Sequence, residues 1–298
     1  MLPLLFTSNF FMNQLNLFID LIRLRKPIGY MLLFWPCVWG LTIAYDFSED
    51  LNIYFFYLLL FFLGSVLMRS AGCIVNDILD RKFDKKVLRT KTRPIASGKI
   101  SVKLGLLYSG LLCILAFLVL INFNQFTIFL ALASMPLAFT YPLMKRYTYW
   151  PQLFLGVTFN FGLILGWTSI NIETFLVPFI FYLGAIFWTL GYDTIYGFQD
   201  IKDDEIIGLK STSIKFKSNP YIFLNICYSI FFLTLITLGF LMNLSKIYFI
   251  FLILVLFQIF FYQIKKLNLN VSSDCLKTFK SNNLLGLLIF VSILSGKI

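Results

Sequence analysis

The sequence contains no histidine, and only 14 of its 298 residues are Asp or Glu. Its five cysteines are scattered without a CxxC pair, so we predict buried thiols rather than a disulfide framework or a thiolate metal site. Any metal site must therefore use oxygen ligands, which favours Mg²⁺ over zinc or copper. The longest polar stretches, residues 76–103 and 195–218, are too short for an independent core, so the sequence predicts one domain over residues 1–298.

Charge is scarce and apolar residues are abundant. Hydrophobic residues make up 59% of the chain, charged residues make up 13%, and the mean hydropathy is +0.84. This composition indicates a protein that crosses the membrane many times. Nine segments are long enough to span about 30 Å of hydrocarbon, and they lie near residues 28–45, 52–75, 104–121, 126–142, 152–170, 174–194, 219–242, 247–264 and 283–297.

The distribution of positive charge predicts the orientation of these spans. Of the 25 Lys and Arg residues, 22 fall on one side, and the exceptions are Arg69, Lys246 and Lys297. The positive-inside rule makes that side cytoplasmic. The formal charge of +11 is therefore explained by topology, and because the basic residues are interleaved with spans we predict no nucleic-acid binding.

The N-terminal segment, residues 1–27, is predicted to be a surface helix. Leu15, Phe18, Ile19 and Ile22 have helical spacing, and this pattern is typical of a helix on the inner leaflet of the bilayer. The alternative is an extension of the first span. The first residues lack the basic n-region and cleavage site of a signal peptide, and they do not resemble a transit peptide. We therefore expect a multi-pass protein of a bacterial inner (plasma) membrane.

Two groups of mostly acidic residues lie where predicted spans meet water. The first consists of Asn76, Asp77, Asp80 and Asp84, and the second of Asp193, Asp200, Asp203 and Asp204. If each preceding span continues as one helix, the first group and Arg69 share an arc of roughly 100°, and Asp193, Asp200 and Asp204 share roughly 40°. Carboxylates on one helix face repel one another unless a cation joins them. Because Mg²⁺ completes its shell with water and phosphate oxygens, the groups predict a metal-bound diphosphate. The alternative is that they only solvate helix ends.

Four stretches resemble a known family. Residues 71–101, AGCIVNDILDRKFDKKVLRTKTRPIASGKIS, resemble the first signature of the UbiA family of intramembrane prenyltransferases, NDxxDxxxD followed by RT, RP and SG pairs. Residues 191–216, GYDTIYGFQDIKDDEIIGLKSTSIKF, resemble the second, in which YDTxY leads to DxxxD. Residues 23–41 and 141–156, RLRKPIGYMLLFWPCVWGL and YPLMKRYTYWPQLFLG, also agree. The resemblance is closest to the branch that acts on 4-hydroxybenzoate.

The resemblance implies an all-α membrane protein with nine transmembrane helices around a central cavity, capped on the cytoplasmic side by residues 76–103 and 195–218. It implies transfer of a polyprenyl group from polyprenyl diphosphate to the ring carbon ortho to the hydroxyl of 4-hydroxybenzoate, with release of diphosphate. It also implies two Mg²⁺ ions, one held by Asn76 and Asp80 and the other by Asp200 and Asp204, with Asp77, Asp84, Asp193 and Asp203 in support.

Basic and aromatic residues near the acidic groups are the remaining site candidates. Arg69 lies inside a span, where charge is rare, and is expected to contact diphosphate or a carboxylate. Lys145 and Arg146 are candidates for the acceptor carboxylate, or else for inner-leaflet anchoring. Aromatic faces that attract cations are offered by Tyr141, Tyr192 and Tyr196, unless these only pack in the core. Further anion-binding candidates are Arg25, Lys26, Arg81, Arg89, Lys91 and Arg93.

Two other functions fit the same sequence features. A sister prenyltransferase would use naphthoate, homogentisate or haem as its acceptor, and the KRYTYWPQ stretch favours hydroxybenzoate by resemblance only. A divalent-cation transporter would also place acids at helix mouths. Acidic residues near the bilayer midplane would suit a transporter better, and the spans after residue 104 carry almost none away from the cytoplasmic side.

Overall fold

The structure is a computed structural model that describes residues 13–298. Within this range all regular secondary structure is helical, without strands, as the family resemblance implies. After α1, which covers residues 13–21, the helices are α2 (Ile28–Ala44), α3 (Leu51–Leu79), α4 (Arg81–Asp84), α5 (Val102–Leu120), α6 (Gln125–Thr140), a 3₁₀ turn (Tyr141–Arg146), α7 (Pro151–Thr168), α8 (Leu176–Gly197), α9 (Ile201–Ile207), α10 (Thr212–Lys215), α11 (Pro220–Leu241), α12 (Lys246–Leu256), its π-helical continuation (Phe257–Lys265) and α13 (Ser272–Lys297).

Each predicted span lies on a helix. Over residues 13–298, seven helices are long and apolar enough to cross a membrane. They are α3, α5, α6 with its 3₁₀ turn, α8, α11, α12 with its π-helical continuation, and α13. The other two predicted spans correspond to α2, which has only 17 residues, and to α7, which carries the polar residues Gln152 and Asn160. A multi-pass membrane protein follows from these lengths.

The surfaces of these helices suit a lipid environment. Large apolar side chains project outward along the spans, and Phe129, Phe240 and Ile253 have exposed fractions of 66%, 69% and 63%. Such continuous apolar surface promotes aggregation in water, whereas the acyl chains of a bilayer cover it.

Residues 13–30 and 63–120 form one compact unit. In its core Leu21 and Ile22 pack with Ala71, Ile74 and Ile95. The Phe18 ring meets Tyr108 with 5.0 Å between centroids. One side of the N-terminal helix therefore packs against protein, while Leu15 stays exposed. Residues 1–12 of the predicted surface helix lie outside the described residues.

Residues 31–62 and 121–298 form a second compact unit, in which α8 packs against α7, α11 and α13. Tryptophans hold α2 to α13 within this unit. Trp35 Nε1 donates to Asn283 Oδ1 at 2.9 Å, and Trp39 Nε1 donates to the carbonyl of Gly286 at 3.0 Å. Because a buried indole N–H is costly without an acceptor, these two bonds fix the position of α13.

Candidate active site

The first acidic group lies at the end of α3. Arg69, Asn76 and Asp77 are on this helix, which ends at Leu79. Asp80 follows with φ −92° and ψ 0°, outside helical geometry, and α4 then begins. The Asp80 N–H donates to Asn76 C=O at 2.9 Å, and the Asp84 N–H donates to Asp80 C=O at 2.8 Å. The single continuous helix assumed above is therefore wrong here, although the helical hydrogen bonds bridge the break.

Three carboxylates of this group are buried. Asp77, Asp80 and Asp84 have exposed fractions of 1%, 1% and 6%. An ionised carboxylate in such surroundings needs a positive partner or a metal ion, because burial removes its hydration. Acidic residues that only solvate a helix end would be exposed to water, and these three are not.

Arginines supply part of that positive charge. Arg93 Nη1 donates to Asp77 Oδ1 at 3.1 Å and to Asp84 Oδ2 at 2.9 Å. Arg23 Nη2 donates to the same Asp77 oxygen at 2.5 Å. The side chains of Asp77 and Asp84 are only 2% and 9% exposed, so these are ion pairs largely removed from water. Arg93 was an anion-binding candidate, and in the structure it bridges two carboxylates.

The segment after α4 positions Arg93 through local hydrogen bonds. The Thr90 hydroxyl donates to Asp84 C=O at 3.0 Å, and the Arg93 N–H donates to Thr90 C=O at 3.0 Å. Ile95 and Ala96 are then buried against the unit's core. This series of turns directs the guanidinium back toward the acidic group.

The other basic candidates of this unit differ in exposure. Arg25, Lys26, Arg89 and Lys91 are exposed, and Arg25 bonds Asn16 Oδ1 at 2.7 Å. Arg81 is half-buried, and its Nε is buried without a hydrogen-bond acceptor in the described part of the chain. A buried donor without an acceptor is costly, so an acceptor at this point would stabilise the Arg81 side chain.

Arg69 lies against the first turn of α2. A Cβ added at Gly29 would stand 2.8 Å from Arg69 Nε and 3.4 Å from its Nη2. A side chain at position 29 would therefore require the Arg69 guanidinium to move from this place.

The second acidic group is divided between two helices. Asp193 lies within α8, which ends at Gly197, and Asp200 immediately precedes α9. The Asp204 N–H donates to Asp200 C=O at 2.9 Å, so Asp200, Asp203 and Asp204 share one helical turn. All four carboxylate residues are half-buried. The predicted common face with Asp193 is wrong, because the chain turns at residues 198–200 before α9 starts.

The segment that carries Lys145 and Arg146 is bonded to the chain that follows α9. The Lys210 N–H donates to Lys145 C=O at 2.9 Å, and Lys210 Nζ donates to Tyr147 C=O at 3.1 Å. Within this unit, the basic candidates for the acceptor carboxylate and the second acidic group therefore belong to neighbouring segments.

The three candidate tyrosines each contact another aromatic ring. Tyr141 lies 6.3 Å from Phe159 between ring centroids. Tyr192 is 1% exposed and lies 5.0 Å from Trp188, and Tyr196 lies 4.5 Å from Phe279. Each of the three tyrosines is thus packed against an aromatic neighbour, as the alternative of core packing predicted.

A polar network that was not predicted from the sequence is buried among the helices of the second unit. The Tyr228 hydroxyl donates to Gln263 Oε1 at 2.7 Å, and Gln263 Nε2 donates to Asn282 Oδ1 at 3.2 Å. Trp188 Nε1 donates to the same Asn282 oxygen at 2.8 Å. Gln263 lies on the π-helical continuation of α12, a type of helix that is frequent at functional sites. The signal available in the sequence was a set of amide side chains inside apolar segments.

The donor set suits a hard cation that keeps water ligands. Across residues 13–298, no three Asp, Glu, Cys or His side chains form a complete metal cage. Mg²⁺ commonly takes one or two carboxylates and completes its octahedron with water and substrate phosphate oxygens. The oxygens of Asn76 and Asp80 in the first unit, and of Asp200 and Asp204 in the second, are ligands of the type that Mg²⁺ prefers.

Comparison with known proteins identifies sequences that are similar to this chain over most of its length. The model of the UbiA prenyltransferase family matches residues 33–291. A Bos taurus protein named mitochondrial 4-hydroxybenzoate polyprenyltransferase is 42% identical over 290 residues, covering 96% of this chain and 76% of that protein. A Photobacterium profundum protein named 4-hydroxybenzoate octaprenyltransferase is 37% identical over 282 residues, covering 95% and 96%.

A solved structure shares the fold. It is a UbiA homologue from Archaeoglobus fulgidus bound to DMAPP and Mg²⁺, and it matches with a TM-score of 0.69 at 19% identity over 93% of this chain and 99% of that one. The family match covers most of the sequence and the curated relatives are similar over nearly its whole length. The chain belongs to the UbiA prenyltransferase family.

Proposed function

We propose that the protein transfers a polyprenyl group from polyprenyl diphosphate to 4-hydroxybenzoate, at the ring carbon ortho to the hydroxyl, and releases diphosphate. This is the prenylation step of ubiquinone biosynthesis. Relatives such as the Bos taurus protein, named for this activity, support the assignment. The observation that carries it in this chain is the group of buried carboxylates at the end of α3, which requires cations.

We assign the two acidic groups to two Mg²⁺ ions. Asn76 and Asp80 are proposed to hold one, and Asp200 and Asp204 the other, with Asp203 close to the second. Asp77 and Asp84 assist through Arg93, which neutralises both carboxylates and keeps the first group in place. When bound, Mg²⁺ supplies positive charge where the leaving diphosphate becomes more negative.

Basic residues are proposed to bind the diphosphate oxygens as the allylic C–O bond breaks. Arg81 follows Asp80 directly and has a buried donor in need of an acceptor. Arg69, Lys91 and Arg25 are further candidates. The bond's electron pair leaves with the diphosphate, so positive charge develops on the prenyl carbon.

The acceptor is proposed to bind beside α7 and α8. Lys145 or Arg146 pairs with the carboxylate of 4-hydroxybenzoate, since a guanidinium can bind such a group through two parallel bonds. The faces of Tyr141, Tyr192 and Tyr196 stabilise the cationic prenyl carbon. A carbon–carbon bond then forms to the ring, and Asp193, next to Tyr192 on α8, accepts the proton that the ring carbon loses.

We further propose nine transmembrane helices around a central cavity, with residues 76–103 and 195–218 forming a cytoplasmic cap. The prenyl tail would enter from the lipid bilayer, and the membrane would be a bacterial inner membrane. The excess of basic residues on one side supports this orientation.

The activity is tested with membranes that contain the protein. We expect labelled 4-hydroxybenzoate, a polyprenyl diphosphate and Mg²⁺ to give a labelled lipid that is extracted into organic solvent. Chelation with EDTA should stop the reaction, and added Mg²⁺ should restore it. If naphthoate, homogentisate or haem is prenylated instead, the acceptor assignment is wrong. If EDTA leaves the rate unchanged, the metal assignment is wrong.

Gly29 provides a test of the role given to Arg69. Gly29→Ala should displace the Arg69 guanidinium and raise the KM for polyprenyl diphosphate by about tenfold, the size of one lost charge-assisted hydrogen bond. Gly72→Ala is the matched control, because a Cβ there meets nothing within 4 Å. In an Arg69→Ala background, Gly29→Ala should add nothing further. An unchanged KM in the single variant, or full additivity, would contradict the role.

A further inference from the structure

The chain that follows the second acidic group returns to α8 and becomes buried there. Ser211, Thr212 and Ser213 have exposed fractions of 7%, 0% and 0%. The Thr212 N–H donates to Gln152 Oε1 on α7 at 3.0 Å, and the Ser213 hydroxyl donates to Thr194 C=O on α8 at 2.8 Å. Two helices of one unit therefore hold this short polar stretch.

The hydroxyl bonds have a defined direction. Thr194 Oγ1 donates its only hydroxyl proton to Leu190 C=O at 2.6 Å. Thr194 Oγ1 also lies 2.6 Å from Thr212 Oγ1, so Thr212 must be the donor of that bond. We call Gln152, Thr194, Thr212 and Ser213 the polar clasp. Every member is buried, so each bond is expensive to leave unmade.

The segment that carries Asp200 and Asp204 has little packing of its own. No residue of α9 is buried. Its side chains are at most half-buried, so apolar contacts contribute little to fixing its position, and the attachments of its two ends contribute more. One end continues from α8, and the other is held by the bonds of Lys210 to the 145–147 segment and, directly afterwards, by the polar clasp.

The clasp also requires a close approach of the chain. A Cβ added at Gly197 would lie 2.3 Å from Ser213 Oγ. Only glycine at the end of α8 lets Ser213 reach the Thr194 carbonyl.

We propose that Thr212 and Gln152 are positioning residues that hold the second acidic group in register with the segment carrying Lys145 and Arg146. Neither residue is placed in contact with a substrate. The inference rests on the proposed function, since it gives the clasp a role in binding both the metal-bound diphosphate and the acceptor. Its consequence is that loss of one buried hydroxyl weakens both binding events together.

The test is a pair of substitutions at Thr212. Thr212→Val keeps the shape and removes the hydroxyl, whereas Thr212→Ser keeps the hydroxyl. Thr158→Val is the matched control, because the Thr158 hydroxyl donates within its own helix, α7, to Phe154 C=O at 2.8 Å. For each variant we would measure the Mg²⁺ concentration for half-maximal rate and the KM for 4-hydroxybenzoate. Hydrogen exchange of the amides of residues 198–210 would be measured in parallel.

We expect Thr212→Val to raise the Mg²⁺ requirement and the acceptor KM by about tenfold, as for loss of a residue that orients a metal ligand. Amide exchange over residues 198–210 should become faster by a similar factor. In Thr212→Ser and Thr158→Val, the Mg²⁺ requirement, the acceptor KM and the exchange rate should stay within about twofold of the parent values. This is smaller than the change expected when one buried hydrogen bond is broken. Equal effects of Thr158→Val and Thr212→Val, or unchanged exchange in Thr212→Val, would overturn the proposal. Exchange does not depend on turnover, so it tests the clasp even if the acceptor proves to be a different compound.

Discussion

Asp80→Asn and Asp204→Asn are each expected to lower the rate of prenyl transfer by about a thousandfold, equivalent to roughly 4 kcal/mol of transition-state stabilisation. Each substitution keeps the side-chain shape but removes one negative charge from a proposed Mg²⁺ site. Asparagine is a weaker ligand, so the leaving diphosphate loses part of its charge compensation. Asp80→Ala and Asp204→Ala should abolish turnover, and all four variants should still insert into the membrane.

Asp46→Asn is the control for these variants. Asp46 is exposed, and its carboxylate accepts the N–H and the hydroxyl of Ser48 at 3.0 and 2.8 Å. These bonds hold the pKa of Asp46 below its usual value, so it is also an ionised carboxylate. We expect its replacement to leave the rate unchanged. A rate near that of the parent protein in Asp80→Asn or Asp204→Asn would show that the substituted aspartate is not a metal ligand.

Arg93→Gln is expected to lower both stability and activity. Without this guanidinium, Asp84 loses the hydrogen bond at 2.9 Å and Asp77 keeps that of Arg23. Breaking a buried pair by removing one partner costs about 3 kcal/mol, because a buried charge is left uncompensated. Thermal unfolding of the detergent-solubilised protein measures the stability loss, and the prenylation rate measures the effect on the site.

Arg25→Gln is the matched control within the same unit. Arg25 pairs with Asp20 at 3.8 Å, and both side chains are more than half exposed. An exposed pair of this kind contributes at most about 1 kcal/mol. We therefore expect a small shift of the unfolding temperature in Arg25→Gln and a large one in Arg93→Gln. Equal shifts would show that the Arg93 pairs are not the buried interactions described above.

The positions of the helices were predictable because long apolar segments leave few alternatives. Where the helices end was less predictable. The arcs calculated for the acidic groups assumed unbroken helices, but Asp80 interrupts the first and the turn after Gly197 interrupts the second. Breaks of this kind depend on tertiary contacts, such as the Arg93 bridge and the polar clasp, more than on local propensity.

The partners of the site residues were not predictable from one sequence. Arg23 and Asp77 are 54 positions apart, and Thr212 and Gln152 are 60 positions apart. Residue types and spacing identified Asp77, Asp80 and Asp84 as candidates, since acids at the end of an apolar helix are costly. Which arginine neutralises which carboxylate depends on how distant parts of the chain pack together. The spacing of residues along the sequence does not predict such long-range pairs.

The most direct test is a count of divalent ions bound to the purified protein. Mn²⁺, a paramagnetic substitute for Mg²⁺, would be titrated in the presence of an unreactive prenyl thiolodiphosphate, and bound ions would be counted by electron paramagnetic resonance. We predict two ions per chain for the parent protein, and one each for Asp80→Asn and Asp204→Asn. Two ions in all three proteins, or none in the parent, would contradict the proposal that these acidic groups hold a metal-bound diphosphate.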